Sequence, residues 1–148
     1  MICLTIPLAA GGISALLAGD SLRQFQLLRR PPLSPPGWVF PVVWTVLYLL
    51  MGFASYLIWE KRTGNRAALT GYGLQLLANV LWPLFFFRLS WYLAAFFWLI
   101  LLWLLILAVM TLFSRLSAWA AGLLLPYLLW VSFAGYLNLG IYLLNGPA

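Results

Sequence analysis

The residues best suited to chemistry are aromatic and amide side chains that recur at helical spacing inside apolar stretches. In one such stretch, intervals of three, four and three residues place two amides and two aromatic rings on one helical face. Amides are costly in lipid unless they are hydrogen-bonded, so this face is predicted to point into a helix bundle. Its members are Tyr72, Gln75, Asn79 and Trp82.

Two further stretches carry comparable faces. One follows a proline-rich segment and combines large aromatics with a thioether and a hydroxyl, and the other sets a tryptophan beside small residues. Together these faces suit a cavity for a flat, mostly apolar ligand, although ordinary helix packing is the simpler explanation for any single residue. The first comprises Pro41, Trp44, Tyr48, Met51 and Ser55, and the second Pro126, Tyr127, Trp130, Ala134 and Asn138.

Conventional catalytic and metal-binding groups are scarce in this sequence. The chain has no histidine, its acids are Asp20 and Glu60 outside the apolar stretches, and Cys3 is its single cysteine. These counts exclude a Ser-His-Asp triad, a paired-carboxylate site and the usual zinc or haem ligand sets, so no metal site is expected. An ion-coupled pump is disfavoured as well, because no charged residue lies inside an apolar stretch.

The elements that position these faces are predicted to be membrane-spanning helices. The 148 residues are 66% hydrophobic and only 7% charged, which is far from a globular composition. Five apolar stretches approach the roughly 20 residues that a helix needs to cross the hydrocarbon core. We therefore predict an all-α integral membrane protein with one domain, residues 1–148, folded as a bundle of five transmembrane helices. The stretches are residues 2–19, 38–59, 69–87, 91–113 and 119–144.

The net charge of +6 has a simple explanation in this setting. The eight basic residues lie between the apolar stretches or at their ends, where they anchor helices at the surface of the lipid bilayer, and no nucleic-acid partner is predicted. Four lie on each side of the predicted bundle, so the positive-inside rule leaves the orientation open. Interfacial anchoring explains several aromatics near stretch ends at least as readily as ligand contact: Trp91, Tyr92, Trp119 and Tyr127.

Two segments have interpretations that the sequence leaves open. The connection over residues 20–37 contains an amphipathic, arginine-bearing segment that suits either a lid over a pocket or a basic interfacial anchor. In the first stretch, Gly11, Ala15 and Gly19 recur every four residues and form a smooth stripe. Such a stripe permits close packing of helices, either within the chain or across a dimer.

Three ordered blocks resemble the TspO/MBR family, the tryptophan-rich sensory proteins related to the mitochondrial translocator protein, or peripheral-type benzodiazepine receptor. The blocks are RPPLSPPGWVFPVVWTVLYLLMG at residues 30–52, QLLANVLWPLFF at 75–86 and PYLLWVSFAGYLN at 126–138. The resemblance implies five transmembrane helices, with a pocket under the first loop and a homodimer as one option. It also implies a multi-pass protein of a bacterial cell membrane.

The resemblance further implies a ligand and the residues that contact it. Members of the family bind porphyrins such as protoporphyrin IX, eukaryotic members bind cholesterol and benzodiazepine-type drugs, and some bacterial members degrade protoporphyrin in light. Trp44 and Trp130 match the pocket tryptophans implicated in that degradation and are the only candidates for a catalytic role. Other pocket-lining positions are matched by Pro35, Trp38, Tyr48, Asn79, Trp82 and Ala134.

The sequence departs from the family pattern at positions that bear on activity. Gln24 and Phe25 stand where the family loop usually has Trp-Tyr, and Leu33 replaces a frequent tryptophan. The loss of the tyrosine hydroxyl favours binding over photodegradation. The cholesterol motif is also broken, because no basic residue follows Tyr142, so cholesterol is not predicted as the natural ligand.

The leading hypothesis is a membrane receptor or carrier for metal-free porphyrin that requires no cofactor. Trp44, Trp82 and Trp130 are expected to lie against the macrocycle, and the arginines of the loop to meet its carboxylates. Gln75 and Asn79 are expected to hydrogen-bond its polar edges. Two alternatives remain at this point: a light-dependent porphyrin-degrading enzyme, and a non-catalytic regulatory or scaffolding membrane protein.

Overall fold

The fold is a bundle of α-helices. The computed structural model describes residues 2–18, 39–61, 65–89 and 91–145, and no strand occurs in these ranges. A five-residue π-helical segment, Leu84–Arg88, follows the third helix. The α-helices are α1 (Ile2–Ala18), α2 (Val39–Trp59), α3 (Arg66–Pro83), α4 (Tyr92–Ser114), α5 (Ala118–Leu123) and α6 (Leu125–Asn145).

The length and composition of the helices confirm a multi-pass integral membrane protein. Within the described ranges, four segments are long and apolar enough to span a bilayer: residues 42–59, 66–86, 92–114 and 118–145. The helix α1 has 17 residues, at the lower end of the roughly 17–25 residues that can cross the hydrocarbon core. The five-helix prediction is therefore consistent with the structure, and the chain is surrounded by a lipid bilayer.

The helices pack so that α2, α3 and α6 face a shared interior. The helix α1 packs against α2 and α3, α3 packs against α4, and α4 packs against α6. The short α5 connects the two sides of the bundle because it packs against both α2 and α4. Long side chains, rather than close backbone approach, join α6 to α2 and α3.

Two prolines explain why the end of the third predicted helix and the beginning of the fifth are irregular. Pro83 has no N–H to donate to the carbonyl of Asn79 four residues earlier, and the chain continues as the π-helical segment. Pro126 likewise has no donor for the carbonyl of Gly122, and the helix predicted over residues 119–144 is divided into α5 and α6 at Leu124.

Gly11, one member of the predicted small-residue stripe of α1, serves packing within the chain. A Cβ atom added at Gly11 would lie 2.9 Å from Cδ2 of Tyr48, so the glycine allows α1 to rest directly on a tyrosine ring of α2. The side chain of Ala15, and Gly19, lie outside the described residues. The same holds for the predicted lid over residues 20–37 with its Pro35, and for Trp38.

Candidate ligand-binding site

A chain of hydrogen bonds, here called the polar chain, joins three helices in the interior of the bundle. The hydroxyl of Tyr48 donates to Oδ1 of Asn79 at 2.6 Å, and Nδ2 of Asn79 donates to the hydroxyl of Tyr127 at 2.7 Å. The hydroxyl of Tyr127 in turn donates to Oε1 of Gln75 at 2.8 Å. All four side chains are buried, as expected for polar groups that must find partners inside a membrane protein.

The two predicted amides, Asn79 and Gln75, differ in how many of their hydrogen-bonding groups have partners in the polar chain. Asn79 uses both its carbonyl oxygen and its amino group on tyrosine hydroxyls, so it is satisfied by the protein itself. Gln75 is only 1% exposed and accepts one hydrogen bond, but its Nε2 has no partner among the described residues. Every bond in the chain donates towards Gln75, so the chain ends in an amino group that can donate to a further acceptor.

Four aromatic rings form a cluster beside the polar chain. The ring of Trp44 lies 5.7 Å from that of Tyr48, and 6.4 Å from each of Tyr127 and Trp130, measured between centroids. The planes of Trp44 and Trp130 meet at 88°, an edge-to-face contact that aromatic rings favour. This aromatic cluster therefore presents apolar ring faces, while its two tyrosine hydroxyls are held by the amides of α3.

Trp82 belongs to a second hydrogen-bonded group. Its Nε1 donates to Oδ1 of Asn138 at 3.1 Å, and Nδ2 of Asn138 donates to the carbonyl of Tyr92 at 2.7 Å. The indole also stacks on Phe86, with centroids 5.1 Å apart and planes at 26°. This group ties α3, the start of α4 and α6 together.

An apolar groove lies between α2 and α6. Its volume is about 480 Å³, and Trp130 is the predicted site residue that lines it. Ala134, one turn further along α6, is buried at 6% exposure. The lining consists of Val42, Val43, Val46, Leu47, Leu50, Pro126, Leu129, Trp130 and Phe133.

Tyr127 was predicted to share an inward helical face with Trp130, but it was not among the residues predicted to contact the ligand. Its position near the start of a stretch favoured an interfacial anchor, but the side chain is 1% exposed and links Asn79 to Gln75. Its spacing from Trp130, on the same face of the helix, was the available signal. Trp91 and Trp119, by contrast, are 51% and 81% exposed, as expected for interfacial anchors.

The described site combines aromatic faces, an apolar groove and one buried donor. This combination suits a large, flat, mostly apolar molecule with a few hydrogen-bond acceptors, because ring faces supply contact area and a single placed donor supplies orientation. No group of three or more His, Cys, Asp or Glu side chains that could hold a metal ion occurs in the described ranges.

Comparison with known proteins agrees with the three sequence blocks. The profile of the TspO/MBR family matches residues 3–144. The tryptophan-rich protein TspO of Chlorobaculum tepidum is 40% identical over 125 residues, which cover 82% of this chain and 78% of the relative. The tryptophan-rich sensory protein of Cereibacter sphaeroides is 38% identical, with 88% and 81% covered. The translocator protein of Bos taurus is 37% identical, with 81% and 73% covered.

Proposed function

Since this chain belongs to the TspO/MBR family of membrane proteins, we propose that it is a receptor or carrier that binds a porphyrin-like tetrapyrrole at the aromatic cluster. The observation that carries the proposal is the contact of Trp44 with Trp130 across α2 and α6, beside a buried chain of amides and hydroxyls. A macrocycle offers a large π-face to such rings, and each aromatic contact contributes about 0.5–1.5 kcal/mol beyond the burial of surface.

The polar part of the ligand is assigned to the end of the polar chain. Nε2 of Gln75 is buried and has no acceptor among the described residues, so it suits a carboxylate oxygen at the edge of the macrocycle. Asn79 holds Tyr48 and Tyr127 in place and so acts on the ligand through them. Metal-free porphyrin is favoured over haem, because the sequence has no histidine to ligate iron.

Binding is tested by titrating the purified protein with protoporphyrin IX in the dark and following tryptophan fluorescence. Saturable quenching is expected in the wild-type protein. The variant Trp130→Ala is expected to weaken binding about tenfold or more, since it removes one wall of the cluster. The matched control is Trp119→Ala, which removes a tryptophan that is 81% exposed and should leave affinity unchanged. Equal affinities for all three proteins would overturn the assignment.

Light-dependent breakdown of the bound porphyrin is the second candidate function. It is favoured by one observation: both tryptophans that are candidates for such chemistry, Trp44 and Trp130, are in edge-to-face contact. Porphyrin absorbance under illumination separates the two functions. Stable absorbance after saturable binding supports a receptor or carrier, whereas bleaching that requires both tryptophans supports an enzyme. Absence of binding would leave a regulatory or scaffolding role.

A further inference from the structure

The groove between α2 and α6 reaches from the surface of the bundle to the aromatic cluster. We propose that this groove is a lateral entrance, through which a flat apolar ligand passes from the hydrocarbon core of the bilayer to the cluster, with Trp130 as its inner wall. The proposal rests on the proposed function, and it adds the route by which the ligand reaches the site and a residue that controls that route.

The outer rim of the groove faces lipid. Val42, Val46 and Leu129 line the groove and are 54%, 49% and 61% exposed, and all three lie on helices that span the bilayer. Every lining side chain is apolar. The apolar ring system of the ligand therefore meets no polar side chain at the rim and loses no hydration when it passes from lipid into the groove.

The inner end of the groove is closed by a side chain that also belongs to the site. Trp130 lines the groove and its ring meets the ring of Trp44, so this one indole belongs both to the groove and to the aromatic cluster. Side chains change rotamer far faster than helices separate. Rotation of Trp130 would therefore open the way to Trp44, Tyr48 and Tyr127 without any separation of helices.

The division between α5 and α6 explains why a groove exists at this place. The helix α5 packs closely against α2, whereas the backbone of α6 lies farther from it. The helix is broken at Leu124, between α5 and α6. Pro126, two residues later, has no N–H to donate to the carbonyl of Gly122. Pro126 itself lines the groove. The same proline that breaks the helix thus leaves the space through which the ligand is proposed to enter.

The entrance is tested by narrowing its rim in protein reconstituted into lipid nanodiscs. The variants Val46→Phe and Leu129→Phe add bulk at the rim, and Leu104→Phe adds it on the lipid-facing side of α4, where Leu104 is 53% exposed. Stopped-flow measurements of protoporphyrin fluorescence are expected to show both association and dissociation slowed about tenfold in the rim variants, with Kd unchanged. The Leu104→Phe variant should behave as wild type.

Each alternative outcome contradicts a different statement. Unchanged rates in the rim variants, with normal binding, would overturn the entrance and leave the proposed function standing. A weakened Kd with an unchanged association rate would make the groove the seat of the ligand rather than its route. Absence of binding by the wild-type protein would overturn the proposed function itself, and the entrance with it.

A second measurement does not depend on the folding of the rim variants. Lipids with brominated acyl chains quench the fluorescence of tryptophans that they touch. The fluorescence of Trp130 is obtained as the difference between the emission of the wild-type protein and that of the Trp130→Phe variant. An entrance open to lipid predicts that this difference is strongly quenched. Full fluorescence of Trp130 in brominated lipid would mean that acyl chains do not reach the groove and would overturn the proposal.

Discussion

Asn79 of α3 and Tyr127 of α6 lie 48 positions apart in the sequence, yet Nδ2 of the asparagine donates to the tyrosine hydroxyl at 2.7 Å. This hydroxyl donates onward to Gln75, so one phenol joins two amides that lie a turn apart on the neighbouring helix. The contact is made by side chains across the interior of the bundle, because the backbones of α3 and α6 are not closely packed. Tyr127 therefore links α6 to α3 at the level of Gln75 and Asn79.

Tyr127→Phe should destabilise the bundle by about 1–2 kcal/mol, because it leaves two buried amides without the hydroxyl that joins them. The free energy of unfolding in mixed detergent and SDS micelles measures the loss. Tyr142→Phe on the same helix is the matched control, since Tyr142 is only partly buried and lies outside the polar chain. Equal stability of the two variants would contradict the role given to Tyr127.

Gly11→Ala should distort the site from a distance. The added methyl group would lie 2.9 Å from the ring of Tyr48, whose hydroxyl is held by Asn79, so either α1 moves away or that hydrogen bond is strained. We expect a loss of about 1–3 kcal/mol in unfolding free energy.

Gly12→Ala provides the control for this prediction, because a Cβ atom there meets nothing within 4 Å. It should be neutral or stabilising by up to about 1 kcal/mol, as alanine favours helices over glycine. If the added methyl group strains the hydrogen bond of the Tyr48 hydroxyl, Gly11→Ala should lower the unfolding free energy less in a Tyr48→Phe background than in the wild-type protein. An undiminished cost would place the strain elsewhere.

Sequence periodicity identified the inward faces of the helices. An amide without a hydrogen bond is costly in lipid, so Gln75 and Asn79 are expected to point into the bundle. Periodicity did not identify their partners, since the choice between Tyr48, Tyr127 and a ligand depends on how each helix is rotated and tilted. The helix α6 begins after the break at Leu124, before Pro126, whereas one continuous helix was predicted over residues 119–144.

Trp82 illustrates a second limit of periodicity. It shares a face with Asn79, and the family resemblance predicts that both residues line one pocket, which stays a prediction. Three residues along a helix also mean a rise of about 4.5 Å, and at that level Trp82 meets Asn138 and Phe86. Periodicity predicts the side of the helix on which a residue lies. Which residue of another helix it contacts depends on how the helices pack in the bundle.

Asn138→Leu should weaken the contacts of α6 with α3 and with the start of α4. The substitution removes the acceptor for Nε1 of Trp82 and the donor to the carbonyl of Tyr92, so a loss of about 1–3 kcal/mol is expected in the same unfolding assay. Asn145→Leu is the comparison, because Asn145 is exposed and donates to the carbonyl of Ile141 in its own helix. A loss for Asn145→Leu as large as that for Asn138→Leu would contradict a special role for Asn138.

Substitutions of Gln75 and Asn79 should have different effects on stability and on ligand binding. Asn79→Leu removes two hydrogen bonds to tyrosines and should cost more stability than Gln75→Leu, which removes one hydrogen bond together with a donor that lacks a partner in the described part of the chain. If Nε2 of Gln75 donates to the ligand, Gln75→Leu should nevertheless weaken protoporphyrin binding by about tenfold. Paired measurements of unfolding free energy and Kd on both variants test the assignment. A Gln75→Leu protein that binds with wild-type affinity would show that the buried donor serves the fold alone, and the polar edge of the ligand would then have to be recognised elsewhere.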